Sequence, residues 1–423
     1  MIYNAIIAGG GASGIVAAIK AAEKIKQNTS GKQSNEAPGV LIIDKNKKLG
    51  RKLYATGNGR CNISNAHFDI SCYNSSQEFF PYEIINNDSY RRVNDFFFEL
   101  GVPSTDTNGY FYPMSMQAST VVWSLSDRIK SLGIEVRLKE EVTGITGIKN
   151  VSIDGENLFK VTTDKGTYQC RNLIISTGGS SYESLGGSDT GYKLLETTGH
   201  RMVPVYPALC KLKCSRNISG MNGLRTAAEA RLTVDDIEYG HEQGELQISG
   251  EYLSGIMIFN LSSQAVRCLH EGHRVKIYIS LVPELTEEEI KKIIINSKSA
   301  NGDRTVFACL NGMLNERAVQ YVMDIAGVEN RPVKNITDKE AADLSHTIKN
   351  LEFDITGHGD YSEAQVVSGG ADTSYFSPVT MESKLLDGLF VTGEALDVDG
   401  ICGGYNITWA VITGMAAGEG IHI

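Results

Sequence analysis

The chain has no Cys-x-x-Cys pair among the eight cysteines in its 423 residues. This absence excludes the redox-active disulfide that such a motif forms in thiol–disulfide enzymes. Metal-ligand spacing is also scarce. The nearest approaches are Cys210 with Cys214 and His270 with His273, and neither has a second pair at the spacing of a zinc finger. We therefore expect packed cysteines and no bound metal.

Positive charge and long apolar runs are limited as well. The 40 Lys and Arg are outnumbered by 50 Asp and Glu, so the net charge is −10 and the pI is about 5.4. An acidic balance disfavours nucleic acid and anionic membrane surfaces as partners. No apolar stretch approaches about 18 residues, and no secretory signal precedes the first apolar run. These features predict a cytoplasmic protein with a small-molecule partner, no nucleic-acid partner and no membrane span; they do not address the oligomeric state.

A glycine-rich turn lies between a predicted strand at residues 2–8 and a predicted helix that includes Ile15. Its glycines, Gly9, Gly11 and Gly14, have the spacing Gly-x-Gly-x-x-Gly. In a dinucleotide-binding unit the first glycine permits a tight turn, the second lets the backbone approach a pyrophosphate, and the third lets helix and strand pack closely. The helix N-terminus then presents N–H groups to the phosphates.

An acidic residue completes this motif. The second predicted strand, residues 40–43, ends at Asp44, which is placed to accept hydrogen bonds from a ribose. The distance along the chain from the glycine turn to Asp44 is longer than the usual spacing of about 20 residues, and a polar surface loop at residues 28–39 accounts for the excess. A purely structural glycine turn is the alternative interpretation, but the strand–turn–helix context favours a dinucleotide site.

Hydrophobic patterns divide the chain into three parts. Residues 1–187 contain predicted helices at 91–101 and 119–132 and predicted strands, with hairpins, at 134–138, 142–148, 159–163 and 172–175. Residues 188–361 form an inserted unit of mixed structure with a helical part at about 285–345, which includes helices at 285–295 and 305–326. Residues 362–423 return to strand, turn and helix.

A second glycine-rich, acid-bearing stretch lies near the end of the chain. Glu394 follows a predicted strand and is placed to bind a ribitol hydroxyl, and Gly403 and Gly404 open a predicted helix that runs to Glu419. The N-terminus of that helix can face the negative charge of a reduced flavin. Two such ends in one chain match an extended FAD better than a compact NAD site. The alternative is a loop that only closes the sheet.

Longer motifs make a family resemblance specific. They are Lys48–Asn62 (KLGRKLYATGNGRCN), Ala364–Ala371 (AQVVSGGA), Gly393–Gly400 (GEALDVDG) and Cys402–Asn406 (CGGYN). With these motifs the chain resembles, from end to end, the BaiN-like (YhiN) flavoproteins, which include a bile-acid 3-oxo-4,6-dienoate reductase and an aminoacetone oxidase. The resemblance implies an α/β fold of the two-dinucleotide-binding-domain, Rossmann-like type that binds FAD between its N- and C-terminal parts. It also implies an inserted β-barrel with a small helical subdomain that covers the flavin.

The resemblance further implies which residues bind FAD. Ala12 and Ser13 would lie against the pyrophosphate, and Asp44 and Lys45 near the adenosine ribose. Val142 would pair with the adenine through its backbone. Residues that would close over the cofactor or line its flavin side are Arg51, Lys52, Asn58, Gly59, Arg60, Cys61, Asn62, Thr177, Gly178, Gly393, Glu394, Asp399, Gly404, Tyr405 and Asn406.

The sequence assigns no catalytic residue. Cys61 and Cys402 are either redox-active or simply packed thiols, and a reactive thiol needs a lowered pKa that a sequence does not show. Tyr252 and Tyr405 are either proton donors or packed, hydrogen-bonded tyrosines, and Ser254 is a further weak candidate. The inserted part departs from the family pattern at Ser249-Gly250, because many relatives carry a Thr-His pair there. An acid or base role that this histidine has in relatives therefore does not apply to this chain.

The resemblance implies an FAD-dependent oxidoreductase. NAD(P)H, docked transiently because no second nucleotide-binding glycine motif is visible, is expected to reduce the flavin. Flavin N5 then passes hydride to a conjugated C=C bond in an enone of bile-acid or steroid type. The alternatives are a flavin oxidase of a small amine such as aminoacetone, and a flavoprotein without turnover that serves as an accessory module. Fold alone does not choose among these functions.

Overall fold

The computed structural model describes residues 1–29, 39–148 and 158–423. The chain divides into two compact units. The first contains Met1–Tyr206 and Val366–Ile423, and the second contains Pro207–Gln365, which interrupts the first along the chain. Most of the surface loop predicted at residues 28–39 lies outside the described residues.

The chain begins with strands β1–β11 and helices α1–α5. The helices are α1 (Ala12–Thr29), α2 (Arg51–Ala55), α3 (Ser89–Glu99), α4 (Ala118–Leu132) and α5 (Thr190–Thr197). The strands are β1 (Ile2–Ala8), β2 (Val40–Asp44), β3 (Ser64–Asn65), β4 (Tyr73–Asn74), β5 (Ser104–Thr107), β6 (Tyr110–Pro113), β7 (Glu135–Leu138), β8 (Val142–Ile148), β9 (Leu158–Thr163), β10 (Thr167–Ile175) and β11 (Met202–Ala208).

The second unit is a β-barrel with a helical subdomain. Its strands are β12 (Leu212–Cys214), β13 (Arg225–Val234), β14 (Ile237–Ser249), β15 (Tyr252–Ser254), β16 (Val275–Ser280) and β17 (Leu351–His358). They close in the order β12–β15–β14–β13–β16–β17. Its helices are α6 (Ile256–His270), α7 (Glu287–Ala300), α8 (Val306–Leu310), α9 (Glu316–Ala326) and α10 (Asp338–Lys349). Capping boxes at Thr286 and Thr337 begin α7 and α10, because each hydroxyl accepts from the backbone N–H of a glutamate three residues later.

The last part of the chain returns to the first unit with β18 (Val366–Ala371), β19 (Leu389–Val391), β20 (Asp399–Gly400) and α11 (Tyr405–Gly420). Helix α11 packs directly on the backbone of α1. A Cβ at Gly414 would lie 2.5 Å from the carbonyl oxygen of Ser13, and one at Gly418 would lie 2.4 Å from that of Ala17. Only glycine permits this approach, and the order of the contacts shows that the two helices run in the same direction.

A seven-stranded sheet forms the centre of the first unit. Its order is β7–β2–β1–β10–β9–β8, with β19 also paired to β10. Strands β7, β2, β1, β10 and β19 are parallel to one another, and β9 pairs antiparallel with both β10 and β8. Strand β2 is buried throughout, as the unbroken apolar run Val40–Ile43 predicts for a parallel strand covered on both faces.

The predicted fold class, an FAD-binding Rossmann-like fold with an inserted barrel and helical subdomain, is confirmed. Three details differ. The second unit begins at Pro207 rather than at residue 188, because Leu194 and Leu195 of α5 belong to the hydrophobic core of the first unit. The strand at 134–138 is not in a hairpin but joins β2 in parallel. The helix predicted at 305–326 is two helices, since the Asn315 side chain caps the second by accepting from the N–H of Arg317.

Candidate cofactor-binding site

Four loops of the first unit leave the same edge of the sheet. Gly9 follows β1, Lys45 follows β2, Ser176 follows β10 and Thr392 follows β19. Because these strands are parallel, their carboxyl ends lie at one edge, which is where open α/β sheets bind ligands. The sequence motifs at the two ends of the chain therefore meet in the fold.

The glycines of the first turn have separate roles. Gly9 has a φ of 109°, and a Cβ there would lie 2.3 Å from the carbonyl oxygen of Ser176. A Cβ at Gly14 would lie 2.0 Å from the carbonyl oxygen of Gly9, so both positions are closed by the protein's own backbone. A Cβ at Gly11, in contrast, would have no atom within 4 Å. Gly11 thus faces the open space that a phosphate needs beside the N-terminus of α1.

The Asp44 carboxylate joins the ends of β1 and β2. The N–H of Gly10 donates to its Oδ2 at 2.6 Å, and the N–H of Asn46 donates to its Oδ1 at 2.6 Å. Asp44 is buried. Two carboxylate oxygens offer about four acceptor positions, so the predicted ribose contact is compatible with both backbone bonds. The motif alone did not show that Asp44 also holds the glycine turn in place.

Glu394 is the centre of a polar cluster at the ends of β10 and β19. Lys52 donates to its Oε2 at 2.8 Å, while Ser181 and the N–H of Val367 donate to its Oε1 at 3.1 Å and 2.9 Å. Lys52 also donates to the Ser181 hydroxyl at 2.8 Å. Lys52 and Glu394, which come from the two segments that the resemblance assigns to the flavin side, thus form an ion pair. Ser181 and Val367 were not predicted, because residues so far apart in the chain show no joint signal.

Helix α11 begins against the Gly-Asn-Gly-Arg-Cys-Asn segment. Its N-cap, Gly404, has a φ of 94°. A Cβ there would lie 2.9 Å from Oδ1 of Asn62. The Asn65 side chain donates to the Gly403 carbonyl at 2.9 Å, and the Asn406 amide is bonded to both backbone groups of Gly400. The first N–H groups of a helix have no partner inside it, so this end offers donors to an anionic group.

The two helix N-termini are offset along parallel axes. Ser13, the second residue of α1, lies beside Gly414, the tenth residue of α11. The N-terminus of α11 therefore extends beyond that of α1 by about eight residues, or about 12 Å at roughly 1.5 Å per residue. Gly393, at the end of β19, lies next to the same serine, since a Cβ there would be 2.8 Å from Ser13 Oγ. This arrangement suits an extended molecule with an anionic group near each helix.

Asn62 carries an acceptor that the protein leaves unused. Its Oδ1 is buried and has no hydrogen-bond partner in the described part of the chain. An unpaired buried acceptor costs about 1–3 kcal/mol. A bound molecule with an N–H or O–H donor would satisfy this oxygen, so the site fits a cofactor such as FAD, which carries both.

The turn before Asn62 is strained. Gly57, Asn58, Gly59 and Cys61 have φ values of 55°, 54°, 82° and 61°. Positive φ is unfavourable for Asn and more so for Cys, and strain of this kind concentrates at functional sites. Arg60 points outward, with its guanidinium carbon 5.1 Å from the centre of the Tyr112 ring.

Cys61 and Tyr405, two of the proposed reactive groups of the first unit, have buried environments that raise their pKa values. Burial raises the pKa of the Cys61 thiol to about 11, so it is protonated at neutral pH and is not a nucleophile as it stands. The Tyr405 hydroxyl donates to the carbonyl of His67 at 2.5 Å, and burial raises its pKa. Cys402 is half-buried.

The other predicted binding residues also belong to the first unit. Arg51 donates to Asn46 and to the Ser184 carbonyl, and Lys45 to the Gly187 carbonyl at 3.4 Å. Thr177 packs against Gly191 of α5, and Gly178 has a φ of 70°. Val142 begins β8 and is buried. Ala12 begins α1. The Asp399 carboxylate accepts from Asn74 at 3.1 Å.

Tyr252 and Ser254 belong to the second unit. Both lie on β15, where the Lys211 ammonium is 4.2 Å from the centre of the Tyr252 ring.

In residues 1–29, 39–148 and 158–423 no group of three or more His, Cys, Asp or Glu side chains is arranged to hold a metal ion. Over the same ranges, every helix is too short or too polar to cross a bilayer.

The fold is that of a Rossmann-type FAD-binding protein, and the comparisons with known proteins add that it belongs to an oxidoreductase family. The family model described as "HI0933-like protein Rossmann domain" matches residues 3–420. The chain is 32% identical to the 3-dehydro-bile acid delta(4,6)-reductase of Clostridium scindens, over 98% of this chain and 97% of the relative. The chain belongs to the HI0933-like family.

Two further similarities extend across the chain. It is 26% identical to the ribosomal RNA dihydrouridine synthase of Haemophilus influenzae, over 96% of this chain and 95% of the relative. Among solved structures, the open conformation of a flavocytochrome c3 fumarate reductase has a TM-score of 0.47 at 14% identity, covering 99% of this chain and 78% of the other.

Proposed function

We propose that this protein is an FAD-dependent reductase that uses NAD(P)H to reduce a carbon–carbon double bond conjugated to a carbonyl, in an enone of bile-acid or steroid type. The observation that supports the cofactor best is the pair of offset, parallel helix N-termini at the carboxyl edge of the sheet. The reaction class rests on the relatives. A delta(4,6)-reductase and a dihydrouridine synthase both carry names that describe the loss of a C=C bond.

Each part of the site has a residue suited to one part of FAD. The N-terminus of α1, with Ala12 and Ser13, would hold the pyrophosphate beside Gly11. Asp44 would hold the adenosine ribose. The ribitol would lie by Glu394. When bound, FAD supplies the hydride acceptor and donor at one ring.

The chain's own groups prepare the site for negative charge. The N–H groups at the start of α11 would favour the reduced, anionic form of a flavin, because they are donors fixed in place before the charge develops. Lys52 is paired with Glu394, so it would add N–H donors rather than net charge. Glu394 holds Lys52 in one position through their 2.8 Å contact. Asn62, buried beside Gly404, would accept a hydrogen bond in a place that bulk water does not reach.

We propose that substrate specificity resides in the second unit. Every residue assigned to FAD belongs to the first unit, and the departure from the family pattern at Ser249-Gly250 belongs to the second. Tyr252 or Ser254 is the proposed proton donor to the α-carbon. The cytoplasmic location predicted from the sequence is part of this proposal.

Anaerobic reduction tests the proposal. The purified yellow protein is titrated with NADH, NADPH and aminoacetone without oxygen, and the flavin absorbance is followed. We expect bleaching by a nicotinamide, and then recovery of colour when a 3-oxo-4,6-diene steroid is added. Bleaching by the amine alone would identify the oxidase instead, and no bleaching by any of the three would favour the accessory module.

The same reduced protein distinguishes the two reductase substrates. Uridine has a C=C bond conjugated to a carbonyl, so its reduction uses the same chemistry as that of an enone. Uridine-containing ribosomal RNA is therefore added in a parallel anaerobic reaction. Faster recovery of flavin colour with RNA than with the steroid would overturn the proposed substrate. The chain's net charge of −10 favours the small molecule.

A further inference from the structure

The second unit contains a polar cavity that the proposed reaction does not use. Its volume is about 380 Å³, within the range of small-molecule sites. Strands β13, β14 and β16 form one side and helices α7 and α10 the other. The residues that matter here are Glu229, Arg231, Glu238, Tyr278, Ser280 and Lys349.

Strand register shows that these side chains share the outer face of the barrel. Glu229 is opposite Ser280 and Arg231 is opposite Tyr278 across the β13–β16 pair. The intervening residues, Ala230 and Ile279, are fully buried on the barrel's inner face. Side chains alternate along a strand, so Ser280 projects to the same side as Tyr278 and Glu229.

The cavity wall carries both signs of charge. Arg231 lies 4.6 Å from the centre of the Tyr278 ring and 3.9 Å from the Glu238 carboxylate, too far for a hydrogen bond. Its guanidinium thus lies over the ring and makes no hydrogen bond to Glu238, so its N–H groups can bind a planar carboxylate. Glu229 accepts from His241 at 2.6 Å and retains its second oxygen, and Lys349 donates to the Val282 carbonyl at 3.1 Å.

Ser280 provides an independent sign of a ligand. It is 5% exposed, and its hydroxyl has no hydrogen-bond partner in the part of the chain that the structure describes. A buried hydroxyl without a partner is unfavourable, so native proteins rarely keep one without a reason. Here it lies in the wall of a cavity, one strand away from the available carboxylate oxygen of Glu229.

We propose that this cavity binds a small zwitterion of the amino-acid or dipeptide class. The ligand's carboxylate is bound by Arg231 with the Ser280 hydroxyl, and its ammonium by Glu229 and Glu238. A simple anion of this size would be repelled by the acidic side chains, and a simple cation by Arg231 and Lys349. A molecule with one positive and one negative charge pairs with the acidic and with the basic side chains of the cavity.

Calorimetry on the FAD-loaded protein tests this site. The probes are pools of the free L-amino acids and glycylglycine, with their N-acetyl and amide derivatives, and with acetate and methylamine as single-charge controls. We expect at least one zwitterion to bind, and both of its capped derivatives to bind at least tenfold more weakly. Absence of zwitterion binding, or equal binding of acetate or methylamine, would overturn the proposal.

Variants identify the cavity as the binding site. Arg231→Gln should weaken binding at least tenfold, whereas Arg225→Gln, an exposed position on the same strand, should leave it unchanged. Ser280→Ala should raise the melting temperature without ligand, because the unpaired hydroxyl is gone, and should weaken binding several-fold. Full binding by both Arg231→Gln and Ser280→Ala would place the ligand elsewhere and contradict the proposal. The flavin spectrum should be the same in all variants.

Discussion

The Asp44 carboxylate holds the N–H groups of Gly10 and Asn46 at the end of β2, each at 2.6 Å. A single residue thereby shapes the glycine turn and is also the residue proposed to bind the ribose. Glu394 likewise orients Lys52 and lies at the place assigned to the ribitol. At this scale, the residues proposed to bind the cofactor also hold one another, so a substitution acts on both folding and binding.

Asp44→Ala should lower FAD affinity and the stability of the FAD-free protein together. Loss of a charge-assisted hydrogen bond costs about 1.5–3 kcal/mol, or roughly tenfold to a hundredfold in affinity. In addition, the buried N–H of Gly10 and the partly buried N–H of Asn46 lose their acceptor. Fluorescence titration with FAD and urea unfolding measure the two effects.

Asp235→Ala is the matched control, because this exposed carboxylate also accepts a backbone N–H, that of Arg274 at 3.0 Å, but lies in the second unit. We expect it to leave FAD affinity unchanged. Unchanged FAD affinity in Asp44→Ala would show that Asp44 only shapes the turn.

Helices α1 and α11 determine the geometry of the site at the next scale. Gly414 and Gly418 let the two backbones touch, and this contact sets the offset between the two N-termini. Helix α11 is otherwise almost entirely buried, so its position is fixed on several sides. The spacing of the anion-binding ends is therefore a property of helix packing.

Gly414→Val should destabilise the protein and weaken FAD binding. Its Cβ would lie 2.5 Å from the Ser13 carbonyl oxygen, so α11 must move away from α1, and overpacking of this kind costs about 1–3 kcal/mol. Thermal melting and FAD titration measure the result. Glu419→Ala, exposed on the same helix, is expected to behave as wild type. A Gly414→Val protein with normal stability and normal FAD affinity would show that helix spacing does not matter.

Elements were easier to predict than their partners. The strand–turn–helix at Gly9–Gly14 and the helix after Gly404 follow from local glycine and apolar patterns, and both are present. The Lys52–Glu394 pair and the Asp397–Ser76 contact join distant parts of the chain, and no local pattern encodes them. The parallel partner of the strand at 134–138 was missed for the same reason, because alternation identifies a strand but not its neighbour.

At the scale of the whole molecule, we propose that the first unit binds the cofactor and the second the substrate. The stability of the protein also depends on a few buried polar residues. His200 is one of them. It is buried, stacks on Phe376 with ring centres 5.1 Å apart, and bonds to Thr198 and Ser383. Burial lowers its pKa from the ordinary 6.5, because the charged imidazolium is poorly solvated there.

Acid should therefore destabilise the protein through His200. Below pH 6.5 His200 is protonated in the unfolded chain but stays neutral in the folded chain. The free energy of unfolding therefore decreases as the pH drops toward the lowered pKa of the folded state. Melting temperatures measured between about pH 7 and pH 5 should decrease, and His200→Gln should flatten that decrease. An equally steep decrease in His200→Gln would assign the acid sensitivity to other groups.

The proposed division of labour predicts the behaviour of the barrel variants. Tyr252→Phe and Ser254→Ala should lower turnover of an identified substrate while FAD affinity and the flavin spectrum stay unchanged, because both residues belong to the second unit. Stopped-flow reoxidation and FAD titration separate the two properties. Loss of FAD with normal turnover of the remaining loaded protein would place these residues in the cofactor site instead.

The central claim is that the two glycine-rich ends of the chain jointly hold FAD. The most direct test is to purify the protein, release its chromophore with heat or acid, and identify it by chromatography and mass. We predict FAD, released without covalent attachment, at a stoichiometry of about one per chain, since the site has one pair of offset helix N-termini. FMN, a covalently attached flavin, or no flavin from protein that has been offered FAD would contradict the account.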